Sequence, residues 1–433
     1  ITSFGNIPID GNTLPVTVES GNITVSGNVN ATIEGTPTVS LGQQSIDAFG
    51  RLRVSNPLTL FDSRSRYYDH EQFFTAVTGS GTYDYDANSS TFTLTVSGSG
   101  DSVIRETEKT FVYQPGKSLL VFSTFCMNTP VTGLTQRVGY YGEQNGIFFE
   151  ADGTTYNMVI RSYSSGVLTE DRIPQSSWNG DKLNGTGASG FTLYPDRDQI
   201  FYTDIEWLGV GSVRVGFVIN GQFILCHTFN HANQVGNTTT YMTTACLPLR
   251  YEISSSGPGG TLRQICSSVI SEGGYSLTGT PRAIGHDLDS PVRLANDPTI
   301  FTPLISIRLK YTNEDAIVLP TNFTIVPEDQ ALIKYRIYSR AITTGGTWAN
   351  VGSDSSVQYN LAPTALSSGN VNDTAFLVSN NQSINAPQNE GFDFERQLLR
   401  DTSANIMYEY VITAATTGTN IDVYASLGWQ EVT

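Results

Sequence analysis

Short runs of alternating apolar residues, each closed by turn-forming residues after a few positions, constrain this chain more than any other feature. Val218-Ile219-Asn220-Gly221-Gln222-Phe223 is the clearest case. Asn-Gly supplies the positive φ angles a two-residue hairpin demands, and apolar residues flank it on both sides. Asp152-Gly153 and Asn179-Gly180 punctuate the text in the same way. Gly is abundant at 41 residues and Met scarce at 4, while Tyr and Phe number 21 each, a balance that favours pleated surfaces over helices. The expected class is all-β.

At 433 residues the chain exceeds one ordinary core and suits two or three packed units. Residues 1–44 read as an N-terminal short-strand repeat: Gly5-Asn6-Ile7, Gly21-Asn22-Ile23 and Gly27-Asn28-Val29, with alternating Val16/Val18 and Ile23/Val25 between the turns. Such strands carry almost no large side chains and cannot bury enough apolar area alone. The segment is therefore expected to be an attachment element ordered on assembly, with Val16, Val18, Ile23 and Val25 filling a partner's pockets. Residues 45–290 carry longer, aromatic-rich strands, among them Tyr83 to Val96, Val103 to Val112, Ser118 to Cys126, Gln136 to Tyr141, Gly146 to Glu150, Gln199 to Leu208, Ser212 to Ile219 and Gln222 to Phe229. So many strands in succession predict a central jelly-roll sandwich. After the prolines at 281, 291, 298 and 303, residues 291–433 predict a smaller C-terminal β-sandwich built from strands such as Leu304 to Tyr311, Ala331 to Ser339, Ala375 to Val378 and Ile421 to Trp429. Phe392 to Asp401 is the one stretch that admits a short helix.

A formal net charge of −16, with no dense Lys/Arg run to offset it, repels phosphate backbones and excludes nucleic acid as an expected partner. No stretch approaches about 18 consecutive apolar residues, so membrane insertion is not expected, and no basic-then-apolar export signal is recognisable. Cys126, Cys226, Cys246 and Cys266 form no Cys-x-x-Cys pair and read as reduced, partly buried thiols.

Ser45-Ile46-Asp47-Ala48-Phe49-Gly50-Arg51-Leu52-Arg53-Val54-Ser55-Asn56-Pro57-Leu58-Thr59-Leu60-Phe61-Asp62-Ser63 resembles the opening block of a group of virion structural proteins from tailed bacteriophages. Val138-Gly139-Tyr140-Tyr141 with Gly146-Ile147-Phe148-Phe149, then Trp207-Leu208-Gly209-Val210-Gly211 with Phe229-Asn230-His231-Ala232-Asn233, continue that resemblance over roughly residues 45–255. It implies a structural component located in the virion, with tail fibre, baseplate and head-decoration roles all open. The order from Gly146-Ile147-Phe148-Phe149 through Gln199–Leu208 to the Asn220-Gly221 hairpin is also similar to concanavalin-like and laminin-G-like sandwiches, which implies a jelly roll and no particular ligand.

Sandwich glycosidases of the concanavalin-like class place Glu-x-Asp-x-Glu on one strand, where alternate residues share a face. Asp204 and Glu206 match the second and third positions, but Tyr202 occupies the nucleophile's place. Retaining hydrolysis needs two carboxyl groups about 5 to 5.5 Å apart, so no catalytic residue is assigned and the chain is expected not to be an enzyme. Cys226, His227 and His231 lack the convergence a zinc site needs, because neighbours in a strand face opposite ways. Asp84, Asp86, Asp152, Asp196 and Asp198 offer oxygen ligands without a twelve-residue calcium loop, which leaves calcium open. Neither a Gly-x-Ser-x-Gly elbow nor a phosphate loop occurs, and no cofactor is expected. Residues marked for ligand or partner contact are Trp178, Asn179 and Asp181 in a Gly-rich loop, Asn230 and His231 in a polar turn, and Trp348.

The leading expectation is an outward-facing virion subunit acting through protein packing, a homo-oligomer of trimeric type that also contacts other virion proteins. The alternatives are a receptor-binding module that holds host-surface glycans on exposed Trp178 or Trp348, and a tailspike glycanase.

Overall fold

The computed structural model describes residues 56–276, 279–379, 396–400 and 407–432. The N-terminal repeat and its Val16, Val18, Ile23 and Val25 lie outside the described residues.

The first fifteen strands build two antiparallel sheets. They are β1 (Leu58–Arg64), β2 (Phe73–Thr78), β3 (Thr82–Asp86), β4 (Thr91–Val96), β5 (Ser102–Thr107), β6 (Leu119–Cys126), β7 (Leu134–Tyr141) and β8 (Gly146–Asp152). There follow β9 (Thr155–Ser162), β10 (Thr169–Pro174), β11 (Gln199–Ile205), β12 (Val213–Ile219), β13 (Gln222–Phe229), β14 (Leu249–Ser255) and β15 (Gly260–Ser271). One sheet has eight strands in the order β13-β12-β11-β6-β15-β4-β3, with β1 also on β15; the other has seven in the order β10-β9-β8-β7-β14-β5-β2. The expected all-β class is what the structure shows.

Period-two alternation sends one side of every strand into a shared core. On β6, Leu119, Val121 and Phe125 point in while Leu120, Phe122 and Thr124 point out. Phe149 reaches across from the seven-stranded sheet, with ring centroids 5.3 Å from Phe217 and 6.1 Å from both Phe125 and Phe201. Arg105 also lies on the core side at 0% exposure. Its charge is met by Asp69, by Gln264 Oε1 at 2.6 Å and by Thr75 Oγ1 at 3.0 Å, and its guanidinium lies 3.6 Å from the centre of the Phe92 ring. Burial pushes the Arg105 pKa down and Asp69 opposes that shift.

The remaining strands are β16 (Thr280–Gly285), β17 (Val292–Arg293), β18 (Thr302–Leu309), β19 (Ile317–Pro327), β20 (Leu332–Thr344), β21 (Ala349–Asn350), β22 (Val357–Asn360), β23 (Ala365–Val378), β24 (Glu409–Thr416) and β25 (Asp422–Val432). They form a four-stranded sheet of β16, β17 and β19 on β25, and a six-stranded sheet in the order β21-β22-β18-β24-β20-β23. A second core fills between them, with Phe323, Tyr335, Ile337, Ile412 and Trp429.

The two sandwiches meet along a mixed seam. Val112, Ile317 and Leu319 pack there with Leu60, Tyr275 and Val432 around them. Residues 396–400 cross it, Leu398 N donating to Val318 O at 3.0 Å and Arg400 N to Glu108 O at 2.9 Å. Glu108, 1% exposed, forms an ion pair with Arg340, which sits in a bulge of β20 at φ 49°. The bulge turns this side chain off the strand's alternation and toward the other sandwich. Burial pushes the Glu108 carboxyl up to about 7, an effect that Arg340 and Lys109 only partly offset and Glu71 reinforces.

One strand expectation is corrected. Tyr83 to Val96 is not one strand but the hairpin β3–β4, because Asp86 accepts hydrogen bonds from Asn88 N at 2.9 Å and Ser89 Oγ at 2.7 Å, fixing a tight polar turn that ends on Ser90 at φ 56°. The stretch Phe392 to Asp401, which admits a short helix, lies partly outside the described residues; within them Arg396 is in 3₁₀ conformation and residues 397–400 carry no helix, the backbone at 398 and 400 bonding across the seam instead.

Replacing Phe149 with Ala should lower unfolding free energy by about 3 to 5 kcal/mol through loss of transfer energy and a residual cavity, measured by chemical denaturation. The Glu108 carboxyl binds its proton more tightly folded, at about 7, than unfolded, near 4.5. Its contribution is therefore full below about 4.5 and is lost as pH rises through about 7. Glu108→Gln should flatten that part of the stability profile relative to the parent, and parallel profiles would show that burial does not govern this group.

Candidate functional site

The strand that carries the glycosidase-like spacing, β11, turns Phe201, Thr203 and Ile205 inward and Ile200, Tyr202 and Asp204 outward. Tyr202 lies opposite Phe122 of β6 and Gly216 of β12, and its ring centroid is 5.1 Å from that of Phe223, an outward residue of β13. Gly216 is required here: a Cβ would stand 2.9 Å from Tyr202 Cε1 and 2.0 Å from Ile224 O. Burial, with Cys226 nearby, pushes the Tyr202 phenol up to about 12. Asp204 is opposite Arg214 and forms an ion pair with it. Glu206 falls beyond the strand end and is exposed, its N–H closing a turn onto Ser212 O at 3.0 Å. The face thus offers a protonated phenol and a neutralised aspartate beside an apolar surface in which Phe223 is 59% and Leu225 39% exposed.

The loop and turn residues marked in the sequence gather around the edge of β13. Residues 179–181 run along that strand, Gly180 N bonding Cys226 O and Asp181 N bonding Leu225 O, both at 2.8 Å. Asn179 completes the pairing with its side chain, donating to Thr228 O and accepting from Thr228 N, each at 2.8 Å. Asp181 accepts from Leu183 N at 2.8 Å and Ser189 N at 2.7 Å, bonds that outweigh its partial burial and hold its carboxyl below the usual range. His231 donates from Nδ1 to Gly211 O at 2.8 Å and stacks on Tyr241, while Asn230 accepts from Ser212 Oγ at 3.0 Å. These side chains close the sheet edge and fix its loops.

Trp178 differs from expectation. At 2% exposure it belongs to the core and donates from Nε1 to Ile173 O at 3.0 Å, so its ring is not open to a sugar. Trp348 is half-buried in the second sandwich with the Arg308 guanidinium 4.0 Å from its ring centre. Cys226 points into the core and His227 Nδ1 accepts from Asn179 N at 3.2 Å. Among the described residues the four cysteines are free thiols, and no three of His, Cys, Asp and Glu gather as metal ligands.

The outer face of the seven-stranded sheet holds a feature that reading the sequence missed. Arg172 pairs with Glu150 at 2.9 Å, Glu150 and Glu252 each with Arg137 at 2.8 Å, Glu252 with Arg250 at 3.0 Å, Arg250 with Glu106 at 3.4 Å, and Glu106 with Arg400 at 3.3 Å. Beneath this ladder Tyr141, Phe148 and Val159 are fully buried, with Arg161 within 5.4 Å of both ring centres. Burial pushes the Glu252 carboxyl up, but Arg250, Arg137 and Arg161 together outweigh it and hold it low. The available signal was charge at every second position among apolar neighbours, as in Arg250-Tyr251-Glu252-Ile253.

No protein-family model and no curated protein matches the chain. Among solved structures it is similar to a protein of unknown function from Shewanella oneidensis, at 10% identity over 52% of this chain and 91% of that one, TM-score 0.32. A family 16 glycoside hydrolase from Bacteroides ovatus, described in complex with a mixed-linkage glucan product, matches at 9% identity over 48% of this chain and 99% of that one, TM-score 0.32. The CBM2 module of the evolved Dit protein of Lactobacillus casei phage J-1 matches at 8% identity over 52% and 100%, TM-score 0.31.

Glu252→Ala would leave Arg137 and Arg250 without their shared carboxylate, and should cost about 3 to 5 kcal/mol in denaturant unfolding. Glu206→Gln, at an exposed site, should stay within about 0.5 kcal/mol of the parent. Equal small effects would show that the ladder carries no stability.

Proposed function

We propose that the chain is a non-enzymatic structural subunit of a tailed-phage virion, with residues 45–290 and 291–433 as outward-facing sandwiches. It works as a homo-oligomer of trimeric type against other virion proteins, and residues 1 to about 40 serve as the attachment segment on the sequence argument alone. The observation that carries the reading is the outer face of β11–β13. Its would-be catalytic row is Tyr202, Asp204 paired to Arg214, and a Glu206 beyond the strand, set in an apolar surface that suits packing against protein. The glycan-binding alternative loses Trp178 to the core and keeps Trp348 and the exposed Phe223 as aromatic surfaces.

Light scattering of the full chain should give a multiple of the 47.0 kDa monomer. Phe223→Lys should leave the far-ultraviolet circular dichroism unchanged while reducing that mass or incorporation into particles. Monomers throughout, with normal incorporation of the variant, would remove this face from the assembly. Release of reducing ends from host polysaccharide, abolished by Glu206→Gln in a folded protein, would make the chain an enzyme.

A further inference from the structure

A cleft of about 690 Å³ lies over the outer face of the six-stranded sheet, walled by the loop before β18 and by the start of β23. Its volume falls within the roughly 300 to 1,000 Å³ of small-molecule sites, and like them it sets a few polar groups among apolar side chains. Two arginines line it and no aspartate or glutamate does. Arg293 is paired with Asp422. Arg336, half-buried on β20, forms no ion pair among the described residues: its Nη1 donates to the Tyr338 hydroxyl at 3.4 Å and its guanidinium lies 4.0 Å from the centre of the Phe301 ring. Its cross-strand neighbours are Thr374 and Thr413. Arg137, Arg161, Arg250 and Arg340 each meet a carboxylate, and Arg308 on this same sheet donates to Gln358 Oε1 at 3.1 Å with Glu409 acting on its charge.

We propose that this cleft binds a carboxylate with an apolar group beside it, the acid held by Arg336 and the Tyr338 hydroxyl and the apolar group by Ile300 and Leu366. A guanidinium carries five N–H donors, of which this one engages a single weak one, and a carboxylate takes two in parallel. Tyr338 supplies the second polar group. It is 7% exposed, its oxygen accepts from Arg336, and its own O–H meets no acceptor among the described residues. A buried donor left in that state costs free energy, which an incoming oxygen restores. Arg336 and Tyr338 share the outer face because they stand two apart on β20, and the Tyr338 ring is fixed by packing with Val411 and Leu366. The walls decide what accompanies the acid. Thr299 Oγ1 donates to Asp297 at 2.7 Å and Thr364 Oγ1 to Thr344 O at 3.0 Å, so these hydroxyls serve the fold and a polyhydroxylated ligand finds little to bond. Asp297 is turned away into that bond and another from Thr299 N at 2.8 Å. Ile300, by contrast, is 52% exposed and lines the cleft with Phe301 and Leu366. A polypeptide end in leucine and a free branched-chain acid share this chemistry.

The site belongs to the second sandwich and does not depend on the assembly role of the β11–β13 face. Calorimetric titration of the full chain with N-acetyl-leucine should give saturable binding, with N-acetyl-leucine amide and acetate each at least about tenfold weaker. Arg336→Gln should weaken N-acetyl-leucine by about tenfold or more and, having no ion pair to break, should melt like the parent. Tyr338→Phe removes one oxygen from a packed ring and should weaken binding by about threefold to tenfold, a second reading that stands even where Arg336→Gln fails to fold. Lys334, the next outward cation on β20, lies over the Phe376 ring and does not line the cleft, so Lys334→Gln should leave affinity within about twofold. Acetyl-Ala-Ala-Leu binding more tightly than N-acetyl-leucine supports the proposal with a polypeptide end as the source; equal or weaker binding supports it with a small acid. No saturable binding, amide or acetate binding as tightly as the acid, unchanged affinity in Arg336→Gln or Tyr338→Phe, or a loss in Lys334→Gln equal to that in Arg336→Gln would overturn the proposal.

Discussion

Everything on the outer side of the seven-stranded sheet hangs on the alternation of arginine and glutamate from Arg172 to Arg400. A strand buried on one face normally leaves the other to water. Here the second face holds Tyr141, Phe148 and Val159 beneath its own charged side chains, so both faces are dry. Charges taken out of water lose several kcal/mol each, which only near neighbours of opposite sign restore. Glu252 receives Arg137 from the neighbouring strand on one carboxylate oxygen and Arg250 from its own strand on the other, and Arg137 in turn reaches Glu150. The last rung, Arg400, belongs to the segment that crosses to the second sandwich, so the ladder that satisfies one sheet also fixes its neighbour's position.

This arrangement explains which parts of the fold were legible from sequence. Period-two alternation and Asn-Gly turns are local signals, and the Asn220-Gly221 hairpin forms as read, with φ of 52° and 76° at its two central residues. Asp86-Ala87-Asn88-Ser89-Ser90 carries the same kind of information in side-chain hydrogen bonds rather than glycine, and was absorbed into a single strand. The ladder was illegible because its partners come from strands far apart in sequence: Arg137 meets Glu252 across 115 positions. Trp178 was misplaced for a related reason. A tryptophan beside Asn-Gly reads as loop, but the loop is zipped onto the edge of β13, and the position before the zipper faces the core.

Edge protection accounts for several polar residues that sequence alone marks as candidates for binding. A strand such as β13 would expose a row of unpaired N–H and C=O groups if it ended its sheet. Residues 179–181 cover that row, and Asn179 substitutes a carboxamide for the peptide group that the chain's geometry does not supply there. Asn179 and Asp181 therefore use their hydrogen-bonding capacity within the fold, as do Asn230 and His231 just past the C-terminal end of the same strand. Polar residues in turns are ambiguous in sequence for this reason: a side chain suited to a ligand is equally suited to a backbone that has run out of partners.

The same accounting separates the two surfaces of interest. On the face of β11–β13 Asp204 holds Arg214, and the Tyr202 ring fills the space that Gly216 leaves. What remains outward is apolar, and an apolar sheet face gains free energy by covering itself with protein. At the seam charge is likewise met by charge. Arg340 is brought to a cavity wall by the bulge in β20 and meets Glu108 there. Two sandwiches need not close their junction completely with side chains from either one. The space left over takes its chemistry from whatever the two rims supply, and here the rims supply amides together with cations already matched to carboxylates, Arg340 to Glu108 and Arg396 to Asp373.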